Sequence, residues 1–162
     1  MNSILFSFLL IELLVVSIID VRTKKISNLW SIAHIVIFVG VMLFSQEYPT
    51  GSHFIFPVGM IVAGFVLFVF HIMGAGDSKY IASIFLLVPT SYHMLFMEKL
   101  LTVTILVGTI LVIMKFVKSA AKIKAYLMTF YLKAVQAEIH SRISYAPVIL
   151  VSWILFGIAL WQ

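Results

Sequence analysis

The sequence contains no cysteine and few charged residues, and these two shortages exclude several classes of protein. Without cysteine the chain has no disulfide, no thiolate metal site and no cysteine nucleophile. Charged residues make up 10% of the 162 residues and hydrophobic residues 63%, whereas an ordinary soluble domain is about 45–50% apolar. This composition excludes a soluble globular enzyme, and the 14% aromatic content excludes a disordered chain.

Six apolar runs fill most of the chain, at about 3–19, 29–45, 54–73, 80–97, 100–117 and 145–161. A transmembrane helix needs about 20 mostly apolar residues, so each run is a candidate span. Pro89 predicts a kink or an early end in the fourth run, and Glu98 and Lys99 are expected to form the turn that follows it. We therefore expect an all-α integral membrane protein with about six transmembrane helices, forming a single domain over residues 1–162.

The basic residues predict the orientation of these spans. Lys and Arg are enriched in cytoplasmic loops, and ten of the 11 basic residues fall on one side of the proposed membrane, with Lys99 as the exception. The N-terminus and the C-terminus are therefore expected to lie outside. Basic clusters beside apolar runs favour contact with anionic lipid, so we expect no nucleic-acid partner. The ten residues are Arg22, Lys24, Lys25, Lys79, Lys115, Lys118, Lys122, Lys124, Lys133 and Arg142.

The segment from Lys115 to Arg142 is too charged to span a membrane. Its apolar residues recur at spacings of three and four, which is typical of one face of an amphipathic helix. We expect a basic amphipathic cytoplasmic segment between spans five and six that contacts lipid. Docking of a substrate or an assembly partner is the alternative interpretation.

Three acidic residues lie within or at the edge of apolar runs, where ionisable side chains are costly and are candidates for function. Asp20 follows the first run and Asp77 follows the third, so the predicted topology places both at the cytoplasmic face. Two neighbouring carboxyl groups share one proton, and aspartic proteases use such a pair to activate water without a metal or other cofactor. Glu12 is expected to face the bundle interior with a structural or hydration role, and assistance to the pair is the alternative.

Each aspartate alone also fits a helix end or a polar turn that faces water. The five histidines are scattered without the spacing of a metal site, and no serine lies in a nucleophile-elbow context. Gly74 and Gly76 are expected to allow an unwound backbone or a close approach by a substrate or another helix. Lys79 is expected to hold Asp77 ionised or to bind lipid phosphate.

Three stretches resemble motifs of one protease family. Gly74-Ala75-Gly76-Asp77-Ser78-Lys79 resembles the GxGDxK motif of the GxGD membrane aspartyl proteases. The stretch from Asp20 to Asn28 resembles the D-x-R-x-x-x-I-P-N motif of type IV prepilin peptidases, with Ser27 in the place of proline. Tyr145-Ala146-Pro147 resembles the aromatic-small-Pro stretch that opens their last span.

The resemblance implies a multi-pass peptidase of the bacterial cytoplasmic (inner) membrane that removes the leader of prepilins. It implies that Asp20 and Asp77 are the catalytic dyad, with Asn28, Gly74, Gly76 and Lys79 as supporting motif residues. The implied partners are the prepilin substrate and pilus assembly proteins. Because the sequence has no cysteine and no cytoplasmic CxxC region, it resembles the short peptidase-only branch of the Flp or tight-adherence pilus type.

Two other functions remain open from the sequence. A proton-coupled transporter or channel subunit would use Asp20, Asp77 and Glu12 as a proton relay, but it would be expected to place them near the midplane and often to show an inverted repeat. A pilus-assembly scaffold would tolerate replacement of either aspartate by asparagine. The placement of both aspartates at one face favours the protease.

Overall fold

The computed structural model describes residues 2–45, 49–69, 73–128 and 144–161, and these residues form helices without any strand. The predicted all-α class is therefore confirmed for the described part of the chain. Two short 3-10 turns, Gly51–Phe54 and Thr90–Tyr92, precede the third and fifth helices. The six helices are α1 (Ser3–Thr23), α2 (Asn28–Ser45), α3 (Ile55–Val69), α4 (Ala75–Leu87), α5 (His93–Met128) and α6 (Ala146–Leu160).

Within the described part of the chain, three helical stretches are long and apolar enough to cross a membrane, namely Ser3–Thr23, Gly51–Val69 and Thr90–Ile110. The apolar helices over Asn28–Phe44 and Ala146–Leu160 are shorter. Large apolar side chains cover the outer faces of the helices, and Phe44 for example is 93% exposed. Such surfaces are stable when lipid covers them. The chain is therefore a helical membrane protein, while six spans and outside termini stay predictions.

The predicted turn at Glu98 and Lys99 is wrong. α4 ends at Leu87, and Val88 is extended (φ −78°, ψ 131°) because the residue before a proline avoids the helical region. The connection to α5 therefore lies at 88–92, whereas Glu98 and Lys99 lie inside α5 and form an ion pair of 2.8 Å. Pro89 thus sets the boundary between α4 and α5, and Glu98 and Lys99 do not.

α5 continues well beyond the predicted end of the fifth span. Its 36 residues correspond to about 54 Å at 1.5 Å per residue, longer than a bilayer core of about 30 Å. The backbone of the predicted amphipathic segment, Lys115–Arg142, belongs to this helix as far as Met128. The side chains of residues 115–128 and all of residues 129–143 lie outside the described part. The amphipathic character of this segment therefore stays a prediction.

The helices pack as two groups that meet in an aromatic core. α2 and α3 pack against α4, and α1 and α5 pack against α6. Gly64 of α3 lies directly against the Ser78 side chain of α4, and Gly157 of α6 lies directly against the Phe6 ring of α1. Aromatic side chains of the core then link α4 to α5, α6 and α1. Their ring centroids lie 5.0–5.2 Å apart, in the order Phe85, Phe96, Trp153 and Phe6.

Local backbone chemistry sets the ends of α1 and α2. Lys24 adopts a left-handed conformation (φ 56°), and its N–H donates to the carbonyl of Asp20 at 2.8 Å, which ends α1. Ser27 then accepts a hydrogen bond of 3.3 Å from the N–H of Leu29. Ser27 thereby caps α2, whereas Asn28 is the first residue of the helix itself.

Candidate active site

Asp20 lies in the last turn of α1 and is almost completely buried, with 2% of its surface exposed. Its carboxylate Oδ2 accepts a hydrogen bond of 3.0 Å from the backbone N–H of Ala146, the first residue of α6. The first N–H groups of a helix have no partner within the helix and carry its positive dipole end. α6 therefore presents a donor that stabilises negative charge at Asp20.

Asp77 is the third residue of α4 and is 8% exposed. Its carboxylate Oδ2 accepts a hydrogen bond of 3.0 Å from the backbone N–H of Gly74, the N-cap of the same helix. This bond fixes the carboxylate over the first turn of α4, where the helix dipole favours negative charge. Each aspartate is thus held by the free N–H of a helix start.

The structure brings the two aspartates to one end of the bundle through the segment that precedes α6. Ala146 binds Asp20, and the phenol of the preceding Tyr145 lies within electrostatic reach of the Asp77 carboxylate. Tyr145 is itself fixed, because its hydroxyl is 2.6 Å from Thr104 Oγ1 and the Thr104 hydroxyl donates to a helix carbonyl. Sequence reasoning identified the Tyr-Ala-Pro stretch only as a family landmark, whereas in the structure its Ala146 N–H binds Asp20 and the charge of Asp77 acts on its Tyr145.

The glycines beside Asp77 have different roles from each other. Gly74 is extended (φ −76°, ψ 146°), as expected for an unwound start. Gly76, however, lies in the first turn of α4, so the expectation of an unwound backbone is wrong at that position. A Cβ atom on Gly76 would lie 2.8 Å from the carbonyl oxygen of Ile26 in the α1–α2 loop. The missing side chain therefore allows α4 to touch the loop that follows Asp20.

Lys79 and Asn28 lie on the surface near this end of the bundle. Lys79 is exposed, and side chains two residues apart on a helix do not face each other, so it projects away from Asp77. Asn28 is exposed at the start of α2. Arg22, Lys24 and Lys25 are also exposed, and the Lys24 ammonium donates to the Ser144 hydroxyl at 2.8 Å. The end of the bundle that carries the aspartates is therefore basic at its surface.

Glu12 lies in the bundle interior, as predicted, with 6% of its surface exposed. Both of its carboxylate oxygens lie 2.9 Å from His34 Nε2, and Oε1 also accepts a bond of 3.1 Å from the Tyr80 hydroxyl. His34 Nδ1 lies 2.8 Å from the hydroxyl of Ser83. Sequence reasoning missed these partners, although an acid and a histidine inside neighbouring apolar runs are the signal that pointed to them.

Metal ligation was not expected from the spacing of the histidines and acids. Among residues 2–45, 49–69, 73–128 and 144–161, no group of three or more His, Cys, Asp or Glu side chains forms a metal-binding arrangement. The groups that the described residues present at this end are two carboxyl groups, each with a backbone donor, and the nearby Tyr145.

The comparisons with known proteins identify the family of the chain. The model of the type IV leader peptidase family matches residues 7–161 of the chain. Neither the curated proteins nor the solved structures include a significant match. Since the family match runs from the first turns of α1 to the residue that follows α6, it includes both aspartates and the Tyr145-Ala146 segment. The chain belongs to the type IV leader peptidase family.

Proposed function

We propose that this membrane protease is an aspartyl endopeptidase that removes the leader peptide from type IV prepilins of the Flp type, with Asp20 and Asp77 as its dyad. The observation that carries the proposal is a pair of buried carboxylates at one end of the bundle, each held by the N–H of a helix start, where Gly76 beside Asp77 meets the loop that follows Asp20. Buried carboxyl groups are costly, so their presence in a membrane protein points to a function.

In this mechanism the two carboxyl groups carry one proton between them. The ionised carboxylate takes a proton from water while the water oxygen attacks the scissile carbonyl carbon. The protonated carboxyl group keeps its proton and donates a hydrogen bond to the carbonyl oxygen, which becomes the oxyanion of the tetrahedral intermediate and reforms the C=O bond when the intermediate breaks down. When the C–N bond breaks, the leaving nitrogen takes up a proton from the dyad, which returns to its starting state.

The charge of the surface around the two aspartates is consistent with a substrate that is cleaved at the membrane boundary. Exposed basic residues surround the aspartates, so this end is proposed to face the cytoplasm, where Lys and Arg are enriched and anionic lipid binds them. A prepilin leader peptide precedes an apolar helix, and its cleavage site would reach the dyad at this depth. The Flp-type assignment rests on the absence of cysteine, which excludes the CxxC region of the longer relatives.

The test is cleavage of a co-expressed Flp-type prepilin by the wild type, Asp20→Asn and Asp77→Asn, read by gel mobility and N-terminal sequencing. Asparagine keeps the size and some of the hydrogen bonding of aspartate but cannot hold the shared proton. We expect both variants to accumulate in membranes and to leave the leader attached. Glu98→Gln is the matched control, because it removes one exposed carboxylate in α5 outside the site. Cleavage by either Asp→Asn variant would reject the dyad.

A further inference from the structure

Four side chains from three helices form a buried polar cluster inside the bundle. Its members are Glu12 of α1, His34 of α2, and Tyr80 and Ser83 of α4. All four are buried, and His34 and Tyr80 have no exposed surface. The proposed reaction uses none of them. An ionisable pair at such a place needs its own explanation, because burying it away from water is costly.

The hydrogen bonds of this cluster determine how many protons it holds. Ser83 donates its single proton to the carbonyl of Tyr80 at 2.7 Å, so its oxygen accepts from Nδ1–H of His34. Tyr80 donates its hydroxyl proton to Glu12. One proton therefore lies between Glu12 and His34 Nε2, either as imidazolium with carboxylate or as neutral imidazole with carboxylic acid. The pair is electrically neutral in both forms.

The same cluster ties together the two helices that carry the aspartates. Glu12 lies eight residues before Asp20 on α1, which is about 12 Å along the helix axis. Tyr80 lies three residues after Asp77, so the two side chains are neighbours on α4. The bond between Tyr80 and Glu12 joins α4 to α1 directly, although α1 packs mainly on α6 and α4 mainly on α2 and α3. His34 adds α2 to the same contact.

We propose that Glu12 and His34 are positioning residues for the dyad: their hydrogen bond to each other, together with the bond from Tyr80 to Glu12, holds α1 against α2 and α4 at the separation that lets Asp20 and Asp77 act on one peptide bond. Neither residue touches the substrate. The inference rests on the proposed function, because it assigns a role in the same reaction. It goes beyond that function in naming the contact that sets the geometry of the site.

The first test compares two substitutions of Glu12 in the full chain, with kcat and KM measured on a prepilin substrate. Glu12→Ala leaves His34 and Tyr80 without their shared partner. Misplacing a reacting group by about 1 Å costs about 100-fold in rate, so kcat should fall by about that factor. KM should stay within about threefold of the wild type, because Glu12 lies inside the bundle.

Glu12→Gln is the rescuing variant. The glutamine oxygen accepts from Tyr80, and its NH₂ group donates to Nε2 of a neutral His34, which reproduces the carboxylic acid form of the pair. We expect its kcat to lie within about threefold of the wild type, since the positions are kept without a transferable proton. If Glu12→Gln folds normally and is as inactive as Asp77→Asn, Glu12 takes part in proton transfer and the positioning proposal is wrong.

A combined variant separates loss of positioning from loss of folding, which Glu12→Ala alone does not separate. Glu12→Leu, His34→Phe and Tyr80→Phe together replace the polar groups by apolar groups of similar size, which costs far less stability than removing one partner. This variant is expected to fold, to be recovered from membranes and to show a kcat lowered about 100-fold, as for a misplaced dyad. A wild-type kcat in this variant would overturn the proposal.

The outcomes for the dyad and for the positioning pair are separable. If the wild type leaves the prepilin intact, or either Asp→Asn variant cleaves it, the proposed function fails. If the Asp→Asn variants are inactive but Glu12→Ala and the combined variant retain wild-type kcat, only the positioning role fails. Glu98→Gln, which changes an exposed carboxylate, should match the wild type in both series.

Discussion

Asp20 Oδ2 lies 3.0 Å from the backbone nitrogen of Ala146, a residue 126 positions further along the chain. The bond joins the end of α1 to the start of α6, and it uses a helix N–H that has no partner within its own helix. It is a backbone interaction, so a substitution at position 146 affects it only when the N–H itself is removed or displaced. This property makes the contact accessible to a precise test.

Ala146→Pro removes that N–H, and proline fits the first position of a helix, although it also disfavours the αR backbone of the preceding Tyr145 (φ −97°, ψ −22°). A hydrogen bond to a charged group contributes about 1.5–3 kcal/mol, so we expect prepilin cleavage to fall about 10- to 100-fold. The measurement is the initial rate of leader removal in membranes with equal amounts of enzyme. Ala146→Gly is the matched control, since it keeps the N–H and should cleave nearly as well as the wild type. Equal rates for both variants would show that the Asp20 contact has no role in cleavage.

Gly76→Ala tests the contact between α4 and the loop after Asp20. The added Cβ would lie 2.8 Å from the Ile26 carbonyl oxygen, so backbone atoms must move apart. Overpacking of this kind costs about 1–3 kcal/mol, and it should lower both the melting temperature in detergent and the rate of cleavage. Gly40→Ala is the control, because a Cβ there meets no atom within 4 Å, and it should leave cleavage unchanged. A fully stable and active Gly76→Ala enzyme would contradict the described approach of α4 to Ile26.

Gly64→Ala should destabilise the packing of α3 on α4. The new methyl group would overlap the side chain of Ser78, and its Cβ would lie 3.3 Å from the Ser78 Cα. We expect a loss of about 1–3 kcal/mol in stability, as for other overpacked contacts, measured as a lower melting temperature. Ser78→Gly in the same chain removes the overlapping atoms and should restore part of the loss. Additive effects of the two substitutions would argue against a direct contact.

Lys24→Gly should relieve the left-handed backbone at the end of α1. Lys24 has a φ of 56°. This left-handed conformation raises the free energy of a residue that has a Cβ by roughly 1–2 kcal/mol. Lys24→Ala is the appropriate comparison, because it loses the same ammonium contact with Ser144 and keeps the strain. The glycine variant should therefore melt at a higher temperature than the alanine variant. The reverse order would show that the backbone at this position is not left-handed.

Much of the helical structure was predictable because the runs of apolar residues reflect burial in lipid. The α1 and α2 segments were expected close to their observed bounds, and capping by Ser27 follows from its side-chain oxygen. The boundary between α4 and α5 was predicted at the wrong residues, since Glu98 and Lys99 were taken for a turn. Pro89 carried the correct signal, because a proline cannot continue the hydrogen-bonding pattern of α4.

Hydropathy and residue order alone establish a helical membrane protein with two aspartates at the ends of apolar runs and a glycine motif beside one of them. These properties are local, because hydropathy and residue spacing along one helix are enough to establish them. Only the tertiary structure decided that Ala146 holds Asp20, that Gly76 meets Ile26 and that Glu12 pairs with His34 and Tyr80. Those partnerships depend on the rotation and depth of each helix against its neighbours, which are set by packing between distant segments.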